Sequence, residues 1–567
     1  MTFDIKDIRH EKSLVGTSWQ PVYSADALFA RDDFEKAMLN IIRHPNVNST
    51  VIMRADILNE VNIVDGIPIN VNGAVTSNPP LIDPIGMPLT HNLEDIETRD
   101  GKVDRSFLTL SKIIIRRIVP RNPLRDAVIN QSCLVFTGAE GVETMLVAYI
   151  PHLLTPQDCP FYLPPVEAVG ILYHKNSVSL HYILFGHERL KGGKLNISES
   201  ANEVLSAGGK QKKGAEVSNI NHVSSLTELD DSDRSLRIAL HLLQTCHKHS
   251  SGVMNGYKKR VNHDLVVEKV AFQDRYMDLK QRYAKELVAN WAEQTDPKKH
   301  VFEDLAIAAF LIELWAQMYP NKKDFCFYDL GCGNGLLVHI LISEGFQGKG
   351  IDARTRKSWA TYPPHVQSQL KEQVIIPEPI FHQVHEKPTE MKQEQNLKEA
   401  RNQASKSPKD TTLQFQSKVA YTYDEMKKDS TINLLNLPPN AFVIGNHSDE
   451  LTVWIPLLGF PFVVIPCCSH SLSGAKYRFA PRNPKDPESK SSYASLVDHV
   501  EDVATQVGWK VEKEMLRIPS TRNAAIIGRT KTFPPSKTVN QIIVEEGGTD
   551  GWIERTMSLR SKSPRNH

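Results

Sequence analysis

Residues 325–354 read FCFYDLGCGNGLLVHILISEGFQGKGIDAR. An apolar run ends near Asp329, glycines follow at 331, 333 and 335, and a second apolar stretch leads to a short run closing on Asp352. The pattern is strand, tight turn, helix, strand, the opening of an α/β unit. Glycines at such a turn let the backbone bend sharply and approach a ligand with no Cβ in the way.

The dinucleotide fingerprint, G-x-G-x-x-G, needs its third glycine so that the helix packs closely under a pyrophosphate. Here the spacing is G-x-G-x-G, and position 336 is leucine. Asp329 stands two residues before Gly331, where a carboxylate repels a pyrophosphate but suits the cationic amino-acid end of S-adenosylmethionine. Asp352, at the next strand end, can accept hydrogen bonds from ribose hydroxyls. The expected cofactor is S-adenosylmethionine, held by Asp329, Gly331, Gly333, Gly335 and Asp352.

Outward from this stretch, 567 residues exceed what one core organises, so two or more domains are expected. A formal charge of +1 excludes a globally cationic nucleic-acid binder, and any polyanion must be met by local patches. Seven scattered cysteines do not form a disulfide framework. The opening MTFDIKDIRHEK lacks the apolar core of a signal peptide, and no apolar run reaches the ~20 residues that span a bilayer. A reducing, cytosolic or nuclear setting is expected, with no membrane partner.

Residues 1–190 alternate short apolar runs with turns, among them SKIIIRRIV, TMLVAYI and SLHYILFG, and read as a mixed α/β domain. Residues 191–232 are polar and read as a linker. From 233 to 534 helical periodicity gives way to alternating strands and helices. Phe272, Tyr276, Tyr283, Leu287 and Trp291 share one apolar helix face. Asp296 and Pro297 start a further helix that is apolar nearly all round from Leu305. The strands QVIIPE, NAFVIGN, FPFVVIPCC, WKVEKEMLRI and NAAIIGRT predict a parallel, doubly wound sheet. Its last two strands, joined only by PSTR, are expected to pair antiparallel. Residues 382–430 read as a charged surface insertion and 535–567 as a basic, mobile tail.

Ligands of open α/β sheets sit beyond the carboxyl ends of the strands. The NAFVIG strand delivers Asn446, His447, Ser448, Asp449 and Glu450 there. A helix start accounts for part of this cluster, with Ser448 as N-cap and two acids in the first turn. Capping does not need Asn446 or His447, which are therefore its best catalytic candidates. His447 and Asp449 are candidate bases for a hydroxyl acceptor, and Lys476 is a candidate partner for the developing oxyanion. Cys467 and Cys468 are adjacent and lack Cys-x-x-Cys spacing, so buried thiols are expected there and no metal.

Three stretches mix cations with aromatic or apolar side chains. They carry Arg116, Arg117 and Arg121, then Lys258, Lys259 and Arg260, then Tyr477, Arg478 and Arg482. Phosphate neutralisation and base stacking are what such mixtures allow, and a solvated face is the plainer account.

The stretches GYKKRVNHD, YAKELVANWAEQTDPKKHVFEDLAIAAFLIELW, FYDLGCGNGLLVHIL, KGIDAR, IGNHSDELTVWIP, VIPCCSHS and IPSTRNAAIIG resemble, in that order, the tRNA uridine-44 2′-O-methyltransferase family. The resemblance spans about residues 235–529, and RIVPRNPLRD extends it toward the N-terminus. It implies a Rossmann-like class I methyltransferase domain and S-adenosylmethionine-dependent methylation of a uridine ribose in serine tRNA, in the cytoplasm. The family supplies no base to carry over. Two other readings use the same residues: a protein methyltransferase on this fold, and a non-catalytic RNA-binding scaffold.

Overall fold

A computed structural model of the chain describes residues 4–71, 97–99, 101–122, 125–139, 142–185, 225–257, 263–380, 423–480, 491–532 and 534–561. Two compact units divide it, Met1–Lys259 and Arg260–His567.

The first unit is one nine-stranded sheet. Its strands are β1 (Ile5–Asp7), β2 (Gln20–Asp26), β3 (Ile52–Val64), β4 (Ile67–Asn70), β5 (Leu108–Pro120), β6 (Ile129–Gly138), β7 (Thr144–Pro151), β8 (Ala168–His174) and β9 (Ser177–Ile183). They lie in the order β1-β2-β9-β8-β7-β6-β5-β3-β4, and every neighbouring pair is antiparallel. Helices α1 (Arg31–Arg43) and α2 (Arg234–Met254) cover one face. Phe34, Met38 and Ile41 of α1 and Leu236, Ala239 and Leu243 of α2 recur three or four residues apart and share a core with Val135, Val147, Ile171 and Leu180.

The domain boundary expected at residue 233 is therefore corrected. The apolar stripe of α2 is the cover that this sheet needs, so the division falls after Lys259. The end of the expected linker is built in as well. Leu226 is buried in the same core, and the Arg9 guanidinium donates to the Leu226 and Leu229 carbonyls. The linker up to residue 224 lies outside the described residues.

The second unit holds β10 (Cys326–Leu330), β11 (Gly348–Asp352), β12 (Leu370–Glu372), a separate parallel pair β13 (Val374–Ile375) and β14 (Ile432–Asn433), then β15 (Ala441–Asn446), β16 (Phe462–Ile465), β17 (Trp509–Met515) and β18 (Ala524–Lys531). The main sheet runs β12-β11-β10-β15-β16-β18-β17. Its first five strands are parallel, and β18 runs antiparallel to both β16 and β17. The third parallel strand is Leu370–Glu372, just before the QVIIPE run, whose Val374 and Ile375 pair instead with β14.

Helix α3 (Lys269–Ala289) packs with α4 (Pro297–Met318), whose N-terminus is capped by Asp296 accepting from the Lys298 N–H at 2.9 Å. Trp315 of α4 meets Phe325, Phe327, Phe346 and Phe442 beneath the sheet. Helices α5 (Leu336–Ser343) and α6 (Ser492–Gln506) complete the layers.

The expected mobile tail is a correction. Residues 534–561 form α7 (Val539–Glu545) and α8 (Trp552–Met557), and Ile542, Ile543 and Trp552 are buried in the core of this unit. The Trp552 indole donates to the Ile375 carbonyl at 3.2 Å and meets Trp454 edge-on. The local signals are a capping box, Thr538 with Gln541, and apolar residues 539, 542, 543 and 544 behind it. Of the expected insertion, residues 382–422 lie outside the described residues, and Met426 of the segment that follows is buried in the same core. No helix among the described residues is long and apolar enough to cross a membrane.

Candidate functional site

The parallel register sets the carboxyl ends of β10, β11 and β15 side by side, with Asp329 opposite Gly350 and Ile444. A crevice of about 1200 Å³ opens beyond them. Its floor is the glycine turn. Gly331, Gly333 and Gly335 have φ of +80°, +53° and +73°, in the left-handed region that favours glycine. At Gly333 a Cβ would project into open space, with no atom within 4 Å. At Gly335 it would meet Leu370 at 3.0 Å and the Trp359 indole nitrogen at 3.2 Å. The turn is braced from outside, with Trp359 donating to the Gly333 carbonyl at 2.9 Å and Ser358 and Tyr362 donating to that of Asn334 at 2.8 and 3.0 Å.

Asp352 has two partners of its own. One carboxylate oxygen accepts the Gly333 N–H at 2.9 Å and the other accepts that of Arg354 at 3.1 Å. Asp329 is 1% exposed, and its Oδ1 has no hydrogen-bond partner. Burial, with Asp352 nearby, pushes its carboxyl up to about 8. Of the residues expected to contact the cofactor, Asp329 and Gly335 do not line the crevice, whereas Asp304, from the second turn of α4, does. Burial, Glu303 and Asp329 hold the Asp304 carboxyl well above the usual range, against a hydrogen bond from Asn446. A cradle open at Gly333 beside two buried, electron-rich carboxyls fits a ligand with a nucleoside portion and a cationic end.

Facing the turn, Asn446 donates to Asp304 Oδ1 at 3.3 Å, and His447 Nε2 lies 3.2 Å from Glu303 Oε1. His447 and Asp449 have φ of +53° and +46°, uncommon for residues with a Cβ and concentrated at functional sites. Ser448 makes no side-chain capping bond, and its hydroxyl is buried without a partner. Helix capping therefore does not account for this cluster. Asp449 accepts from the Cys467 thiol at 3.0 Å.

Cys467 and Cys468 line the crevice, half-buried rather than buried as expected. The hydrogen bond they share, with a contribution from Arg522, holds the Cys468 thiol down to about 7 and pushes that of Cys467 up.

The other predicted residues fall elsewhere. Lys476 is exposed in a short bridge to His470 and does not line the crevice. Arg116 and Arg117 are corrected as RNA contacts. Both are buried, Arg116 donating to Gln131 and to the carbonyls of Ile41 and Ile42, and Arg117 to Asn130. Their side chains satisfy the interior of the first unit, which a charge run in sequence does not reveal. Arg121, Tyr477 and Arg478 are exposed. Lys258, Lys259, Arg260 and Arg482 lie outside the described residues.

Sequence reasoning missed Glu303 and Asp304. The available signal was two acids just before an all-apolar helical stretch, where solvation does not explain them. It also missed Trp552 and Thr556 on the crevice wall.

Two family profiles match the chain. "TRM44-like, N-terminal bet v1-like domain" matches residues 4–260, and "Predicted AdoMet-dependent methyltransferase" matches residues 266–377. Relatives named tRNA (uracil-O(2)-)-methyltransferase include those of Debaryomyces hansenii, 45% identical over 100% of this chain and 98% of the relative, and Saccharomyces cerevisiae, 45% identical over 99% and 96%. The Schizosaccharomyces pombe relative is 34% identical over 97% and 94%. No solved structure matches. With such identity along the whole length, the chain belongs to the family that these relatives form.

Proposed function

We propose that this member of the tRNA (uracil-O(2)-)-methyltransferase family binds S-adenosylmethionine over the glycine turn and methylates the ribose 2′-hydroxyl of uridine 44 in serine tRNA, in the cytoplasm. The observation that carries the cofactor assignment is the unpartnered Asp329 oxygen buried behind Asp304, below a turn left open at Gly333. When bound, the sulfonium supplies an electrophilic methyl group for in-line displacement. Asp304, with Asp329 behind it, receives the cationic amino-acid end. Asp352 keeps its backbone partners and offers its remaining lone pairs to ribose hydroxyls. The His447–Glu303 pair takes the proton of the acceptor hydroxyl, and Asn446 fixes the Asp304 carboxyl.

Arg121 on the first unit and Tyr477 and Arg478 on the second are exposed cations and an aromatic available to RNA. Seven free cysteines accord with a reducing compartment. The specification of uridine 44 and serine tRNA rests on the motif resemblance.

The experiment supplies labelled methyl donor and bulk tRNA, then maps the label by nuclease digestion. Label on the ribose of uridine 44 in serine tRNA is expected. Label on a base, on another tRNA or on a protein would overturn the assignment. A thermal shift with S-adenosylmethionine and none with NAD is the companion result.

A further inference from the structure

We propose that Asp449, Cys467 and Cys468 form a binding site for a zinc-like divalent cation, with a fourth coordination position open to the crevice. The ligand atoms of these three residues all lie within 4.8 Å of one another. Two sulfurs and one carboxylate oxygen are a donor set that selects zinc over magnesium or calcium. Tetrahedral geometry with zinc–sulfur bonds of about 2.3 Å puts sulfurs about 3.8 Å apart and sulfur and oxygen about 3.5 Å apart. The observed cluster reaches that arrangement by small side-chain rotations, since Asp449 and Cys467 already stand at 3.0 Å.

Backbone geometry explains why adjacent cysteines can act together. Pro466 follows the end of β16, and the chain then bends at Cys468, so neither sulfur obeys the strict alternation of a strand. From the other side Asp449 is held at a φ of +46°, a conformation that persists only where its surroundings impose it. Spacing rules for zinc motifs count cysteines along the chain and so overlook a carboxylate brought in from 18 residues earlier.

The surroundings also balance charge. Two thiolates, one carboxylate and a divalent cation sum to −1. The Arg522 guanidinium donates to the Cys467 carbonyl and lies 3.6 Å from Cys468 Sγ, which supplies an outer positive charge. All three ligands and Arg522 line the crevice, so protein does not close the fourth position. Three protein ligands with an exchangeable fourth is the pattern of reactive rather than structural zinc.

The test uses the full chain, dialysed against chelator and titrated with cobalt(II) and then zinc, with no cofactor or tRNA present. Its outcome is thereby independent of the methyl-transfer assignment. Expected are one cobalt per chain, a sulfur-to-cobalt charge-transfer band, and its loss when zinc displaces cobalt. Cys467→Ser with Cys468→Ser abolishes the band, whereas Cys326→Ser, a half-buried thiol at the start of β10, preserves it. Arg522→Gln keeps the band and weakens binding about 10–100-fold. If the double variant does not fold, Cys468→Ser alone is read, with the band reduced to the intensity of a single sulfur. Absence of a stoichiometric band in the wild type, or a band of full strength in the Cys467→Ser, Cys468→Ser double variant or in Cys468→Ser alone, overturns the proposal.

Discussion

His447 Nε2 lies 3.2 Å from Glu303 Oε1, joining the end of β15 to the second turn of α4 across 144 positions of sequence. The contact ties the turn after β15 to the helix that forms the opposite wall of the crevice. It also gives the imidazole a carboxylate that orients its ring.

Glu303→Gln is therefore expected to lower kcat about 100-fold while the Kd for S-adenosylmethionine stays within a factor of two. A fall in kcat matched by a comparable loss of thermal stability would mean that Glu303 serves only the fold.

Asp329→Asn is expected to raise stability in the absence of cofactor. Burial lifts the carboxyl from 3.8 to about 8, so the folded chain holds a proton that the unfolded chain releases between those values. Stability from this group is full below pH ~4 and declines by up to about 1.4 kcal/mol per pH unit until pH ~8. The melting curves of variant and wild type should coincide near pH 4 and separate as pH rises. The same group predicts that a cationic ligand releases protons on binding at pH 7, visible as buffer-dependent heats in calorimetry.

Gly333→Ala and Gly335→Ala should rank oppositely in two assays. Each places a Cβ in left-handed backbone, roughly 1–2 kcal/mol. At Gly335 the Cβ also presses on Leu370 and Trp359, so Gly335→Ala should melt lower. At Gly333 the Cβ enters the crevice, so Gly333→Ala should lose more cofactor affinity, read by isothermal titration.

Trp552→Ala should destabilise the second unit by about 3–5 kcal/mol in chemical denaturation, the range for a large buried side chain. A mobile tail would give no change.

The sequence carried the α/β unit around the glycine turn because strand, turn and helix there are local, and because Leu336 and Asp329 disagree with a pyrophosphate. It carried Asn446 and His447 because they exceed what a helix start requires. It did not carry Glu303 or Asp304, since their partners are brought close only by the parallel register of β10 and β15. Arg116 and Arg117 misled for the converse reason: alternation in a long strand places charges inside as readily as outside when carbonyls await them. The α2 boundary failed because an amphipathic stripe states that a helix needs a sheet, but not which one.

The helices α7 and α8 have a consequence for biosynthesis. Trp552, Thr556 and Leu559 form part of the crevice wall, yet a ribosome reaches them only after the whole seven-stranded sheet has been made. Until they emerge and dock, the nascent second unit exposes the apolar surface around Trp454 and lacks one side of its binding site. Maturation of this chain is thus coupled to completion of its translation, and a stop codon between residues 532 and 552 removes part of the crevice wall even though every strand is present.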